Sequence, residues 1–270
     1  MNLNKWMLFA NHPLDYLVYN PDAAIDALNT APITHTPENH HMFLGPMAAY
    51  AKYVLKENTL QQIWKSKEKE NWEPVSRRYD ENKPSEHQKD KVMEFKEIME
   101  RREALEKGSI ERLLLSFYTL LEPNRADYFA TELITDGEES AEENYIVDHK
   151  KLVLRDFKTK TLYEKIENTL SDELQSELEA SLKKTPRRYL FVREDGTAYP
   201  NRKQFSNWAC RTLTRVLQHP MTLTALRHIY IKEEIHKRTP EELVDMARKM
   251  GHTRSTQRMY EWIDPTQPAL

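Results

Sequence analysis

Three short fragments in the last third of this 270-residue chain carry groups able to do chemistry. They are Leu226–Arg227–His228, then Met250–Gly251–His252, then Tyr260. A guanidinium can fork onto an oxyanion, an imidazole can hold or move a proton near neutrality, and a phenol oxygen can act as a nucleophile. Read singly, each has an ordinary structural role. An arginine on an apolar helix pairs or snorkels, a Gly–His after a helix is a C-terminal cap, and a tyrosine packs half-buried. Other chemistries are disfavoured. His40–His41, and His228 with His236, lack carboxylates at ligand spacing and no HExxH is present, so no metal is expected. There is no GxSxG nucleophile elbow. The five glycines are too scattered for a phosphate-cradling loop, which removes the Walker and Rossmann readings; no cofactor and no small-molecule substrate are expected.

The elements that must position these groups are mostly helical. Apolar residues at three- and four-residue spacings predict helices over Asp22–Leu28 and Pro46–Leu55, joined by a Thr/Pro/His-rich connection from Thr30 to His41. Lys65 to Asp90 is strongly charged and interrupted by Pro74 and Pro84, which reads as a linker with some helix. The domain boundary is placed near Asn82 to Glu86, giving domains at 1–85 and 86–270. Helices are then expected over Lys89–Lys107, ending at Gly108, and over Ile110–Leu121, stopped by Pro123. The period changes to that of strands at Phe129–Ile134, Asn144–Val147, Leu152–Phe157 and Thr161–Ile166, with turns at His149–Lys150 and Lys158–Lys160. Helices follow at Ser171–Leu182, Asn201–Leu217 and Leu223–Lys237. Another runs from Thr239–Pro240–Glu241–Glu242, a capping-box start, to Met250 before Gly251. The expected class is α+β, a helical body with a small antiparallel sheet inserted in it.

Composition fits a soluble globular protein, with 39% hydrophobic and 31% charged residues. No apolar run approaches the roughly 18 residues of a membrane span, and the short N-terminal apolar patch is cut by His12, Pro13 and Asp15, unlike a secretory signal. The single cysteine, Cys210, excludes an internal disulfide framework and suits a reducing intracellular compartment, cytoplasm or nucleus. The net charge of −3 conceals an asymmetry: Lys183 to Tyr260 holds 17 Lys and Arg against 7 Asp and Glu, a net of +10, while residues 1–182 carry −11. Such a run is either a solvated helix face or a surface for a polyanion.

Taken together, Leu226 to Tyr260 resembles the second conserved box of the tyrosine recombinases, the phage-integrase family. Upstream fragments extend the likeness in order. Pro123–Asn124–Arg125–Ala126–Asp127–Tyr128 follows an apolar helix and resembles the segment bearing the family's first arginine. Its form is most similar to recombinases of virophages, large DNA viruses and Crypton-type elements. Lys158–Thr159 on the turn Asp156–Lys160 resembles the family's Lys-Thr, and Pro21 to Lys56 is similar to its N-terminal helical domain. The resemblance thus spans nearly the whole chain. It implies a mainly helical catalytic domain preceded by a small helical, SAM-like DNA-binding domain, acting on double-stranded DNA as a homo-tetramer on two sites. The implied activity is site-specific strand cleavage and rejoining through a 3′-phosphotyrosyl bond, for integration or excision of a viral or mobile element.

The implied roles follow from charge. Arg125 and Arg227 would fork onto the phosphate, Lys158 (with Lys160 close enough to compete) would protonate the leaving 5′-oxygen, and His252 would bond the phosphate or position the nucleophile, Tyr260. His228 is a further candidate. Arg187, Arg188, Arg202, Lys203, Arg211 and Arg215 would meet DNA phosphates. Two departures stand out: Thr224 occupies the position of the family's usual base histidine, and His252 and Tyr260 are eight apart where many relatives have nine. Only ten residues follow Tyr260, so no long exchanged helix is expected. Three rival readings remain: a catalytically decayed DNA-binding relative, a type IB topoisomerase, and a generic helical interaction protein.

Overall fold

A computed structural model describes residues 7, 10–30, 37–258 and 260. The chain divides between Glu81 and Asn82 into two compact units.

The first unit is helical: α1 (Leu14–Tyr19), α2 (Pro21–Thr30), α3 (Pro37–Tyr50), a π-turn at Ala51–Leu55, and α4 (Asn58–Asp80). Its core gathers Leu17, Val18, Ala24, Leu28, Leu44, Met47 and Trp64, and the Trp64 indole donates to the Val18 carbonyl at 3.0 Å. Two expectations are corrected here. Residues 37–41 belong to α3 rather than to a connection, and residues 31–36 lie outside the described residues. Most of the charged stretch read as linker is α4, which runs on through Pro74 because Leu60, Trp64 and Val75 are buried along it. Burial outweighs the one backbone donor that proline removes.

The second unit opens with α5 (Glu86–Lys89), α6 (Phe95–Ala104) and α7 (Ile110–Thr119). Gly108 does not end a helix. It lies in the turn between α6 and α7 at φ +84°, where a Cβ would stand 2.8 Å from the Ala180 carbonyl oxygen. Helix α7 is the apolar hub, buried from Arg112 to Thr119. Four strands follow: β1 (Glu132–Ile134), β2 (Asn144–Val147), β3 (Lys151–Leu154) and β4 (Ile166–Thr169), in spatial order 1-2-3-4. Then come α8 (Asp172–Lys184), α9 (Arg202–Leu217), α10 (Leu223–Glu234) with a 3₁₀ turn at Ile235–Lys237, α11 (Pro240–Lys249) and α12 (Arg254–Arg258).

The class is α+β, a helical body with a small sheet, as expected. Two details of the sheet differ. β2, β3 and β4 pair antiparallel, but β1 lies parallel to β2, so the sheet is mixed. Residues 135–143 carry the chain back past β1 before β2 starts. β4 also begins at Ile166, where Thr161–Ile166 was the expected strand. Leu154 pairs with Ile166, so residues 155–165 form a loop between β3 and β4 rather than a tight turn.

Candidate functional site

Helix α10 begins at a Thr222 N-cap, whose side chain accepts from the Ala225 amide at 3.1 Å. It places Arg227 and His228 on a buried face, 1% and 5% exposed. Helix α11 ends at Met250 with Gly251 at φ +70°, and the His252 amide turns back onto the Ala247 carbonyl at 3.0 Å. His252 is thereby buried beside Arg227. The short α12 and a turn, closed by the Tyr260 amide on the Gln257 carbonyl at 2.8 Å, return the chain to the same place. The eight-residue spacing from His252 to Tyr260 is therefore sufficient.

Arg125, Arg227, His228, His252 and Tyr260 converge. Arg125 Nη2 donates to Tyr260 Oη at 3.4 Å, and the Arg227 guanidinium carbon lies 5.6 Å from the centre of the Tyr260 ring. The imidazoles of His228 and His252 lie 4.4 and 5.4 Å from that ring. Arg125 is held from behind by Tyr118, whose buried hydroxyl donates to the Arg125 carbonyl at 2.5 Å.

Hydrogen-bond chemistry fixes the tautomers. Arg227 Nη2 can only donate, so at 3.0 Å His252 Nδ1 accepts and the ring proton sits on Nε2. His228 is the reverse: its Nδ1 faces the Tyr260 carbonyl at 3.1 Å and must donate. Burial, with the charges of Arg227 and Arg125, pushes His252 down to about 3, and burial does the same to His228. Both imidazoles are neutral at pH 7. Arg227 falls to about 10, through burial and the like charge of Arg125, and stays charged.

Donors exceed acceptors here. Among the described residues, Arg227 Nε and Nη1 and His252 Nε2 are buried without a hydrogen-bond partner, while Arg227 Nη2 reaches the Met250 carbonyl and His252. A buried charge with no carboxylate bonded to it is costly to keep. Three unsatisfied donors beside a second guanidinium can be satisfied together by an oxyanion with several lone pairs.

Lys158 lies exposed on the 155–165 loop and has no ion pair among the described residues. Its neighbours are anchored: Thr159 Oγ1 donates to the Gly251 carbonyl at 2.5 Å, and Tyr163 Oη to the His252 carbonyl at 3.3 Å. Lys160 instead pairs with Asp156 at 3.4 Å. Thr224 is exposed on the first turn of α10.

The six residues expected to meet phosphates fall into different settings. Arg187 is a helix cap, bonded to the Ser181, Thr185 and Leu190 carbonyls and to Ser181 Oγ, and burial lowers it to about 10. Arg202 bridges Asp127 at 2.8 Å and Asp156 at 2.9 Å, tying the Arg125 segment to the lysine loop. These two guanidiniums are occupied inside the protein. Arg188 pairs with Glu132 at 2.5 Å and Arg215 with Glu111 at 2.9 Å, both from exposed positions. Lys203 and Arg211 are exposed, the latter bonded to the Asn207 carbonyl.

Sequence reasoning missed Tyr163 and Asn144. The Asn144 amide donates to the Asp127 and Asp156 carbonyls and accepts from the Arg155 and Asp156 amides, at 2.8 to 3.0 Å, locking the two segments that carry Arg125 and Lys158. Neither residue belongs to a spacing pattern, so nothing in the sequence marked them. Among the described residues no cluster of three His, Cys, Asp or Glu could hold a metal ion, and no helix is long and apolar enough to cross a membrane. A cavity of about 970 Å³ is lined by residues such as Ser109, Trp208 and Arg211 and by none of the converging five.

No family model and no curated protein matches the chain. Among solved structures it is similar to the crystal structure of XerA recombinase, at 12% sequence identity and a TM-score of 0.47, over 97% of this chain and 94% of that one.

Proposed function

We propose that the chain cleaves and rejoins DNA strands as a tyrosine recombinase, with Tyr260 as nucleophile. The observation that carries this reading is the set of unsatisfied donors on Arg227 and His252, with Arg125 bonded to the Tyr260 hydroxyl. A phosphodiester seated there would take hydrogen bonds from both guanidiniums and from His252 Nε2. Added negative charge in the pentavalent state would strengthen each of them.

In the step itself, Tyr260 Oη forms a bond to phosphorus as the bond to the 5′-oxygen breaks. The product is a 3′-phosphotyrosyl ester and a free 5′-hydroxyl. The leaving oxygen takes a proton from the Lys158 ammonium. The phenolic proton passes to a phosphate oxygen or solvent, because His252 Nδ1 is occupied by Arg227 and Thr224 offers only a hydroxyl. Rejoining reverses these transfers and needs no nucleotide, because the ester bond is conserved. Assembly as a homo-tetramer on two sites, a DNA-gripping role for the first unit, a reducing compartment and mobilisation of a viral or mobile element belong to the same proposal.

The test is a nicked suicide duplex carrying the terminal sequences of the encoding element. A denaturant-resistant adduct lost in Tyr260→Phe supports the reading. An adduct that persists in that variant overturns the nucleophile. Binding without adduct identifies a decayed relative, relaxation of arbitrary supercoiled DNA a type IB topoisomerase, and neither binding nor adduct a helical interaction protein.

A further inference from the structure

The loop that carries Lys158 is fastened to the turn that carries His252 by two side-chain hydroxyls. Thr159 Oγ1 donates to the Gly251 carbonyl at 2.5 Å, and Tyr163 Oη donates to the adjacent His252 carbonyl at 3.3 Å. These contacts join residues about ninety positions apart in sequence. Packing supports them. Phe157 is buried in the main core, and at Gly251 a Cβ would stand 3.2 Å from Ile166 Cδ1, 3.4 Å from Thr159 Oγ1 and 3.6 Å from Phe157 Cδ2. The approach is thus so close that a glycine, already at φ +70°, occupies the meeting point.

Lys158 sits between the buried Phe157 and the bonded Thr159, so its backbone is fixed on both sides while its side chain remains exposed. Lys160, two residues on, is drawn to Asp156, which Arg202 also holds. The two lysines are thereby distinguished by their surroundings.

From this geometry we infer that Thr159 and Tyr163 are positioning residues: they register the Lys158 loop against the Gly251–His252 turn, so that the proton donor and the phosphate-binding donors act on one phosphodiester. The inference rests on the recombinase reading and deepens it. As the bond from phosphorus to the 5′-oxygen breaks, the Lys158 ammonium gives that oxygen a proton and becomes an amine. A loop that has lost its fastening delivers that proton poorly and leaves attack by Tyr260 intact.

A leaving group that needs no proton separates the two effects. Replacing the bridging 5′-oxygen with sulfur makes the leaving group a thiolate, a far weaker base than an alkoxide. Cleavage is measured on matched suicide duplexes with oxygen or sulfur at that position. Thr159→Val and Tyr163→Phe are expected to slow the oxygen duplex about tenfold or more, part of the roughly 10²–10⁴ that a positioned acid supplies, with the sulfur duplex unchanged. Thr159→Ser, which keeps the hydroxyl, restores the rate. Lys158→Met shows the same selective loss. Equal slowing on both duplexes, or no slowing on either, overturns the positioning role. Wild-type protein that forms no adduct on either duplex overturns the recombinase reading itself, a distinct result.

Discussion

The Nδ1 of His228 lies 3.1 Å from the carbonyl oxygen of Tyr260, and the two rings stand 4.4 Å apart. The imidazole, neutral through burial, therefore holds Tyr260 twice, by a hydrogen bond to its backbone and by contact with its ring. Thr224, one turn before His228 on α10, is exposed, whereas His228 and His252 both lie against the Tyr260 ring.

His228→Phe keeps a ring of similar bulk and removes the donor. A net hydrogen bond of this kind contributes about 0.5–1.5 kcal/mol, so adduct formation should slow about three- to tenfold. DNA affinity should stay unchanged, measured by binding at fixed salt. An unaltered cleavage rate would show that the carbonyl bond does not govern the placement of Tyr260.

Arg227 gives a prediction in which activity and stability move in opposite directions. Its guanidinium is buried and, among the described residues, two of its nitrogens are unpartnered and no carboxylate is bonded to it. Replacing such a charge with an apolar side chain of similar length is often neutral or stabilising. Arg227→Met should therefore raise the melting temperature of the DNA-free protein by a few degrees while reducing cleavage about 10²–10³-fold, as loss of an oxyanion donor does. Sulfate should stabilise the wild type more than the variant, because only the wild type gains by binding it. Thermal melts with and without sulfate, beside adduct assays, check all three statements.

The paired histidines make stability depend on pH. Folding lowers His228 and His252 from 6.5 to about 3, so between those values the unfolded chain binds protons that the folded chain refuses. Stability is thus full above pH 6.5 and falls as the pH drops toward 3, by about 1.4 kcal/mol per pH unit for each histidine. Chemical denaturation at pH 7.5 and pH 5 should show the loss, and His228→Phe should remove about half of it. An equal loss in wild type and variant would assign the effect to other groups.

Much of this site was legible before any fold was known, for a physical reason. Arg227 sits one turn inside α10 and His252 and Tyr260 follow the ends of α11 and α12, and caps such as Thr222, Thr239–Glu242 and the glycine at 251 fix those ends locally. What stayed illegible depends on contacts distant in sequence. Tyr163 bonds a carbonyl 89 positions away, Asn144 joins two segments by its backbone neighbours, and Arg187 and Arg202 read as free cations although the fold brings carbonyls and carboxylates to them. The charged stretch from Lys65 concealed the rest of α4 because Val75 is its one buried apolar residue there, too little to offset its lysines and glutamates in a local reading. Composition reports what a segment carries, and partners decide what that charge does.

Under the proposed function, that distinction predicts how the basic segment would meet DNA. Arg202 is engaged with Asp127 and Asp156, whereas Lys203, the next residue, is exposed and has no ion pair among the described residues. Lys203→Ala should lower DNA affinity uniformly across sequences and reduce the slope of log K against log salt by about 0.9, the share of one phosphate contact. Its melting temperature should not change. Arg202→Ala should do the reverse: a lower melting temperature, because two carboxylates lose the guanidinium between the Arg125 segment and the lysine loop, and little change in the salt slope. Cleavage should also fall in Arg202→Ala at saturating DNA, because that bridge joins the segments that position Arg125 and Lys158. If the two variants instead lose the same increment of salt slope, Arg202 leaves its carboxylates for phosphate when DNA binds, and the bridge belongs to the DNA-free protein alone.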